Sequence, residues 1–168
     1  MYEEVDIDSL GNVTPEGFYD SCFVAKDTII HSNTFFKVIT YNGGSYSNSS
    51  YQRDSLSYTI ESTGNVLFSS QDFTTTFNAY YNTHGQGDTT EVTIRKMDDK
   101  DKVVTIAAGT FTTSNLKTSF YLFQNHKPTT LTIAFNSRYA PGVGNILQTH
   151  AYFEGTYVER RLLRYHLN

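Results

Sequence analysis

Hydrophobic and polar positions alternate along most of this chain with a period of two. The most regular example is Thr129–Phe135, where Leu131, Ile133 and Phe135 point one way and Thr130, Thr132 and Ala134 the other. Side chains alternate faces along a strand, so the pattern predicts a strand with one buried face. Upstream, Ser119–Phe123 is apolar on both faces and leads into the turn Asn125-His126-Lys127-Pro128. This pair predicts the most buried hairpin of a sheet. Leu131, Ile133 and Phe135 are expected to pack against Phe120 or Leu122 and the inward side of Phe73–Tyr81.

The same device recurs. Phe18–Val24 reads as a strand, and in Thr34–Tyr41 the residues Phe36, Val38 and Thr40 oppose Phe35, Ile39 and Tyr41. Leu56–Glu61 and Val66–Phe68 flank Ser62-Thr63-Gly64-Asn65 as a short hairpin. Phe73–Tyr81 places Phe73, Thr75, Phe77, Ala79 and Tyr81 on one face, and Glu91–Met97 and Val103–Ala107 flank the charged turn Asp98-Asp99-Lys100-Asp101. A last long strand is expected over Ile146–Val158. Between these lie a lead-in at 1–17, a polar loop at 42–55, a Gly-rich loop at 82–88 and a loop at 136–145. Residues 159–168 form a basic tail, and Tyr157–Leu167 could form a short helix. The pattern predicts one all-β domain over 1–168, an antiparallel two-sheet β-sandwich, jelly-roll-like. One Cys and no Trp argue against an immunoglobulin domain.

Composition sharpens this picture. The 168 residues are 38% hydrophobic and only 18% charged, with 13 Tyr and 12 Phe, which suits the pleated surface of a sheet. A net charge of −4 and scattered Lys and Arg argue against a nucleic-acid partner. The acidic start Met1-Tyr2-Glu3-Glu4-Val5-Asp6 lacks the pattern of a secretory signal, and no apolar run is long enough to span a bilayer. The sequence alone therefore predicts a chain made in a cytoplasm, without a membrane partner. Cys22 has no sequence-neighbouring His and is expected to be a buried structural thiol.

From Phe73 onward the residue order is similar to jelly rolls of the tumour-necrosis-factor and complement-C1q type, often found in fibre heads. The likeness lies in a long alternating strand, a charged hairpin, a Thr-rich strand and the closing Tyr152-Phe153-Glu154-Gly155. It covers about half the chain and implies a shape rather than an activity.

Signals for catalysis are missing. His31, His84, His126, His150 and His166 are scattered without ligand spacing, and no nucleophile or phosphate-loop motif occurs. Asp98, Asp99 and Asp101 sit among Lys96, Lys100 and Lys102, which makes a solvated turn a better reading than a metal site. No cofactor, no metal and no enzyme activity are expected. Candidate ligand-binding residues are Tyr41, Tyr46, Tyr51 and Arg53, because Tyr mixed with Ser, Gly and Asn suits recognition. Tyr80, Tyr81 and His84 form a second cluster, and Arg138 and Tyr139 a third. Arg160, Arg161, Leu162, Leu163 and Arg164 are candidates for docking on other subunits of a homo-oligomer. The expected function is a non-enzymatic structural or attachment subunit of a larger assembly, such as a phage tail, fibre-head or capsid-decoration protein within a virion. The alternative is a carbohydrate-binding module or lectin using the Tyr-rich loops, with glycans as partners.

Overall fold

In the computed structural model the chain is built from strands, with no helix among the described residues, which are 1–84, 88–124, 127–151 and 156–167. The strands are β1 Tyr2–Ile7, β2 Val13–Ile30, β3 Asn33–Asn42, β4 Ser45–Ser55, β5 Tyr58–Glu61, β6 Val66–Ser69 and β7 Thr76–His84. They continue with β8 Asp88–Met97, β9 Lys102–Ile106, β10 Gly109–Gln124, β11 Lys127–Ala140, β12 Gly144–Ala151 and β13 Tyr157–Leu162. They form one 13-stranded sheet in the order β6-β5-β4-β3-β2-β1-β13-β12-β11-β10-β8-β7, with β9 attached to β10. Every pairing is antiparallel.

This corrects the two-sheet jelly-roll expectation. A jelly roll needs strands that cross between two sheets, whereas here nearly every strand pairs with its chain neighbours. The result is a meander that twists and curls into a nearly closed barrel. Its two edges, β6 and β7, are consecutive in the chain and meet at a seam. There Asn78 Nδ2 donates to the Val66 carbonyl at 3.3 Å, and the Tyr80 hydroxyl donates to Asn65 Oδ1 at 3.2 Å. Across the interior, the Phe68 ring of β6 lies 4.7 Å from Tyr139 of β11.

Several segments differ from the sequence expectation. The lead-in is β1, a central strand with Val5 and Ile7 buried, followed by the start of β2. The polar loop is β4, entered through a tight turn at Gly43 and Gly44, whose φ values of +55° and +82° glycine adopts freely. Its ladder with β3 is a backbone matter and tolerates Ser, Asn and Gln side chains. The basic tail begins as β13, which pairs with β1 on one side and β12 on the other. The loop at 136–145 is mostly the end of β11 and the start of β12, and Tyr152–Gly155 lies outside the described residues.

The core is also elsewhere than expected. Met97, Leu116, Ile146 and Val5 are fully buried, around β1, β12 and the adjoining parts of β8 and β10. Ile133 and Phe135 are only half-buried, and the side chain of Leu131 lies outside the described residues. Phe135 does meet Phe120, with ring centroids 4.8 Å apart. The Phe73–Tyr81 face is largely open because β7 is an edge strand. Cys22 is exposed, on a β2–β3 hairpin that reaches past its neighbours.

Candidate functional site

Residues paired across an antiparallel ladder share a face, and successive residues take opposite faces. That rule separates Arg138 from Tyr139. Tyr139 pairs with Ser114 and points into the curl of the sheet, whereas Arg138 pairs with Asn115 and points out. Each lines a different cavity, and the two cavities lie back to back across β11.

The inner chamber has a volume of about 820 Å³. Gln52, Asp54, Thr59 and Phe68 form one wall, and Ser114 and Tyr139 the other. Pairings of Asp54 with Thr59 and of Thr59 with Phe68 put these three on the inner face. Thr59 Oγ1 donates to Asp54 Oδ1 at 3.0 Å. Burial pushes the Tyr139 phenol above its ordinary pKa, so the hydroxyl stays protonated and able to donate. Leu56, Ser57, Lys100, Asp101 and the turn at Pro141 and Gly142 frame the mouth. Leu56 is fully exposed there and has φ +57°, the left-handed region that costs a branched side chain. A second groove of about 320 Å³, lined by Val24, Phe36, Val38 and Arg53, shares Gln52, Asp54 and Thr59 with the chamber. The two spaces therefore adjoin at these three residues.

The outer cavity, of about 530 Å³, lies under the β9–β10 hairpin, between Val104 and the β11–β13 residues Asn136, Arg138, Leu147 and Tyr157. Arg138 clamps that hairpin down. Its Nη1 and Nη2 donate to the two Asp99 carboxylate oxygens at 2.8 and 2.9 Å, and Nη1 also reaches Thr113 Oγ1 at 3.3 Å. The guanidinium holds the Asp99 carboxyl below its usual pKa range. The acidic turn is thus more than a solvated loop, since Asp99 is committed to Arg138 and Asp98 lies 3.8 Å from Lys117. Among the described residues no three His, Cys, Asp or Glu side chains come together as a metal site.

The remaining candidates are dispersed. Tyr41 and Tyr46 pair across β3 and β4 with centroids 6.1 Å apart, and Phe23 stacks on Tyr41 at 6.0 Å. This small aromatic patch lies on the outer face. Tyr51 and Arg53 follow on that face of β4, where Arg53 covers the buried ring of Phe35 at 5.6 Å. Tyr80 belongs to the seam, Tyr81 points the other way into solvent, and the His84 side chain lies outside the described residues.

The docking candidates also make contacts within the chain itself. Arg160 stacks 3.9 Å over Tyr2, and its Nε donates to Asp20 at 3.0 Å. Burial pushes the Tyr2 phenol up to about 12. Leu162 is buried, Arg161 donates to Glu159 at 2.7 Å, Leu163 N donates to the Met1 carbonyl, and Arg164 reaches Met1 Sδ. The chamber residues Gln52, Asp54, Leu56 and Phe68 carry no pattern of their own in the sequence. They converge only because β6 closes towards β11.

No protein-family model and no curated protein matches the sequence. Solved structures do match the fold. A Bacteroides fragilis protein, described as a candidate exported protein with a YmcC-like fold, superposes with a TM-score of 0.53 at 12% identity over 97% of this chain and 93% of its own. A candidate lipoprotein from Parabacteroides distasonis gives 0.52 at 16% identity over 97% and 92%. These neighbours overturn the virion reading, because the jelly roll on which it rested is absent and the matching folds belong to bacterial proteins described as exported or as lipoproteins. The expectation of a cytoplasmic protein destined for a virion falls with it, and the longest of the Tyr-rich loops is the strand β4. What the comparisons establish for this chain is the fold: a YmcC-like, nearly closed antiparallel sheet.

Proposed function

We propose that this chain is a non-enzymatic binding protein of a bacterial cell envelope, which receives its ligand in the chamber inside the curled sheet. The observation that carries the binding part is the 820 Å³ chamber, concave and walled by Phe68 and Tyr139 with a few polar groups between them. The envelope location is supported by fold neighbours described as an exported protein and a lipoprotein. Fractionation of the source cells with an antibody to this chain tests the location, and signal confined to the cytosol overturns it. Binding is tested by whether Tyr139→Ala and Phe68→Ala abolish retention of ligand co-purified from an envelope extract and detected by mass spectrometry. Identical ligand profiles for these variants and the parent protein refute the chamber as the site.

A further inference from the structure

We propose that the chamber and its side groove together take a single-chain amphiphile with an uncharged polar head, the hydrocarbon chain lying along Val24, Phe36 and Val38. This rests on the reading of the chamber as a binding site and names its ligand class. Val24 and Val38 are direct partners across β2 and β3, and Phe36 follows two residues from Val38 on the same strand. All three line the groove, yet Val24 is 59% and Phe36 46% exposed. Apolar side chains left open on the concave side of a sheet are stabilised by whatever hydrocarbon covers them. The whole molecule exposes 10612 Å², against about 8,400 Å² for a compact monomer of its mass. Val24 and Phe36 are part of that excess.

The groove adjoins the polar chamber, with Gln52, Asp54 and Thr59 lining both. An apolar groove beside a polar chamber fits a molecule with a tail and a head. Charge selects the head. Lys100 and Asp101 line the chamber, and Arg53 and Asp54 line the groove, so two cations balance two carboxylates and a head of no net charge is favoured. Ser57, Ser70, Ser114 and Gln52 offer donors and acceptors suited to a hydroxylated, neutral head. At the rim stands Leu56, fully exposed and at positive φ. Asn or Gly would adopt that backbone more cheaply, while Leu adds an apolar contact at the entrance.

The test is calorimetric titration of the full chain with glucose and with alkyl glucosides of increasing chain length, each below its micelle threshold. Affinity is expected to rise about two- to fourfold per added methylene while the groove fills, because full burial of a methylene is worth about 0.8 kcal/mol. Phe36→Asp is expected to lower the affinity for the long-chain ligand at least about tenfold, leaving the melting temperature near that of the parent, since its side chain is open to solvent. Leu56→Asn is expected to bind the long-chain glucoside more weakly while melting higher, which a merely damaged fold does not do. Affinity independent of chain length, with glucose binding equally well, overturns the amphiphile and leaves the chamber as a site for the head alone. Absence of binding by every glucoside overturns the proposal outright, and the envelope location is judged separately by fractionation.

Discussion

Removing Asp99 is expected to hurt this fold more than removing Arg138, although the two form one ion pair. The Arg138 side chain is 10% exposed and that of Asp99 40% exposed. In Asp99→Ala the guanidinium stays under the β9–β10 hairpin with only Thr113 Oγ1, at 3.3 Å, among its side-chain partners. Orphaning one member of a buried pair costs about 3–5 kcal/mol, and the open side of this pair brings the expectation down to about 2–3 kcal/mol. In Arg138→Met the carboxylate left behind turns to water, and the Met stem keeps much of the packing, so the loss is expected to be about 1 kcal/mol or less. Domains of this size lose about 2–4 °C of melting temperature per kcal/mol, which separates the two variants by several degrees. Urea melts of both single variants and the double variant provide the assay, and the double is expected to resemble Arg138→Met. The pH dependence follows with its own sign. A carboxyl held below its ordinary pKa contributes stability above the unfolded value, and that stability is lost as pH falls through the folded one. Arg138→Met is therefore expected to shrink the acid-side loss. Equal penalties for the two single variants, or a larger one for Arg138→Met, refute the clamp.

Other outcomes follow from burial. Ile146→Ala, at a fully buried position, is expected to cost about 2–5 kcal/mol in urea melts, whereas Phe135→Ala falls below the 3–5 kcal/mol of a fully buried Phe because its ring is half-open. Burial lowers the pKa of His150, so the unfolded chain takes up its proton first as pH falls. Stability is expected to decline as pH falls from about 6.5 towards the lowered value, and His150→Gln to flatten that decline; imidazole titration by NMR checks the direction. Cys22 is expected to react with a thiol reagent in the native protein at the rate of an open thiol, since it is exposed. Protection until denaturation refutes its placement on the open hairpin.

The all-β class was legible because period-two alternation is a local property of each strand. Thr34–Tyr41 shows it plainly: Phe35 is buried and Phe36 is open, as opposite faces require. What local patterning could not supply was the partner of each strand. Ser45–Ser55 has no apolar face, so its place in the sheet follows only from the ladder with β3 and the tight glycine turn. Val5 and Ile7 alternate well, but in a short acidic segment whose central position depends on residues 150 or more positions away. The same limit applies to the site. Arg138 and Tyr139 stand out as a pair in sequence, while their opposite orientations are a consequence of being in a strand. Phe68 becomes a chamber residue only once the meander closes.

The pairing of β1 with β13 brings residues 150 or more positions apart side by side in the middle of the sheet. In folding, β1 waits for β13 to complete its ladder. Contacts of such sequence separation are slow to form, since loop-closure entropy must be met before they are rewarded. A chain halted before Tyr157 would hold β1 and β12 with raw edges in the centre of a half-made wall, a template for pairing with other copies. β13 is therefore what joins the two halves of the wall: without it the strands form two separate meanders, and the interior is not a compartment.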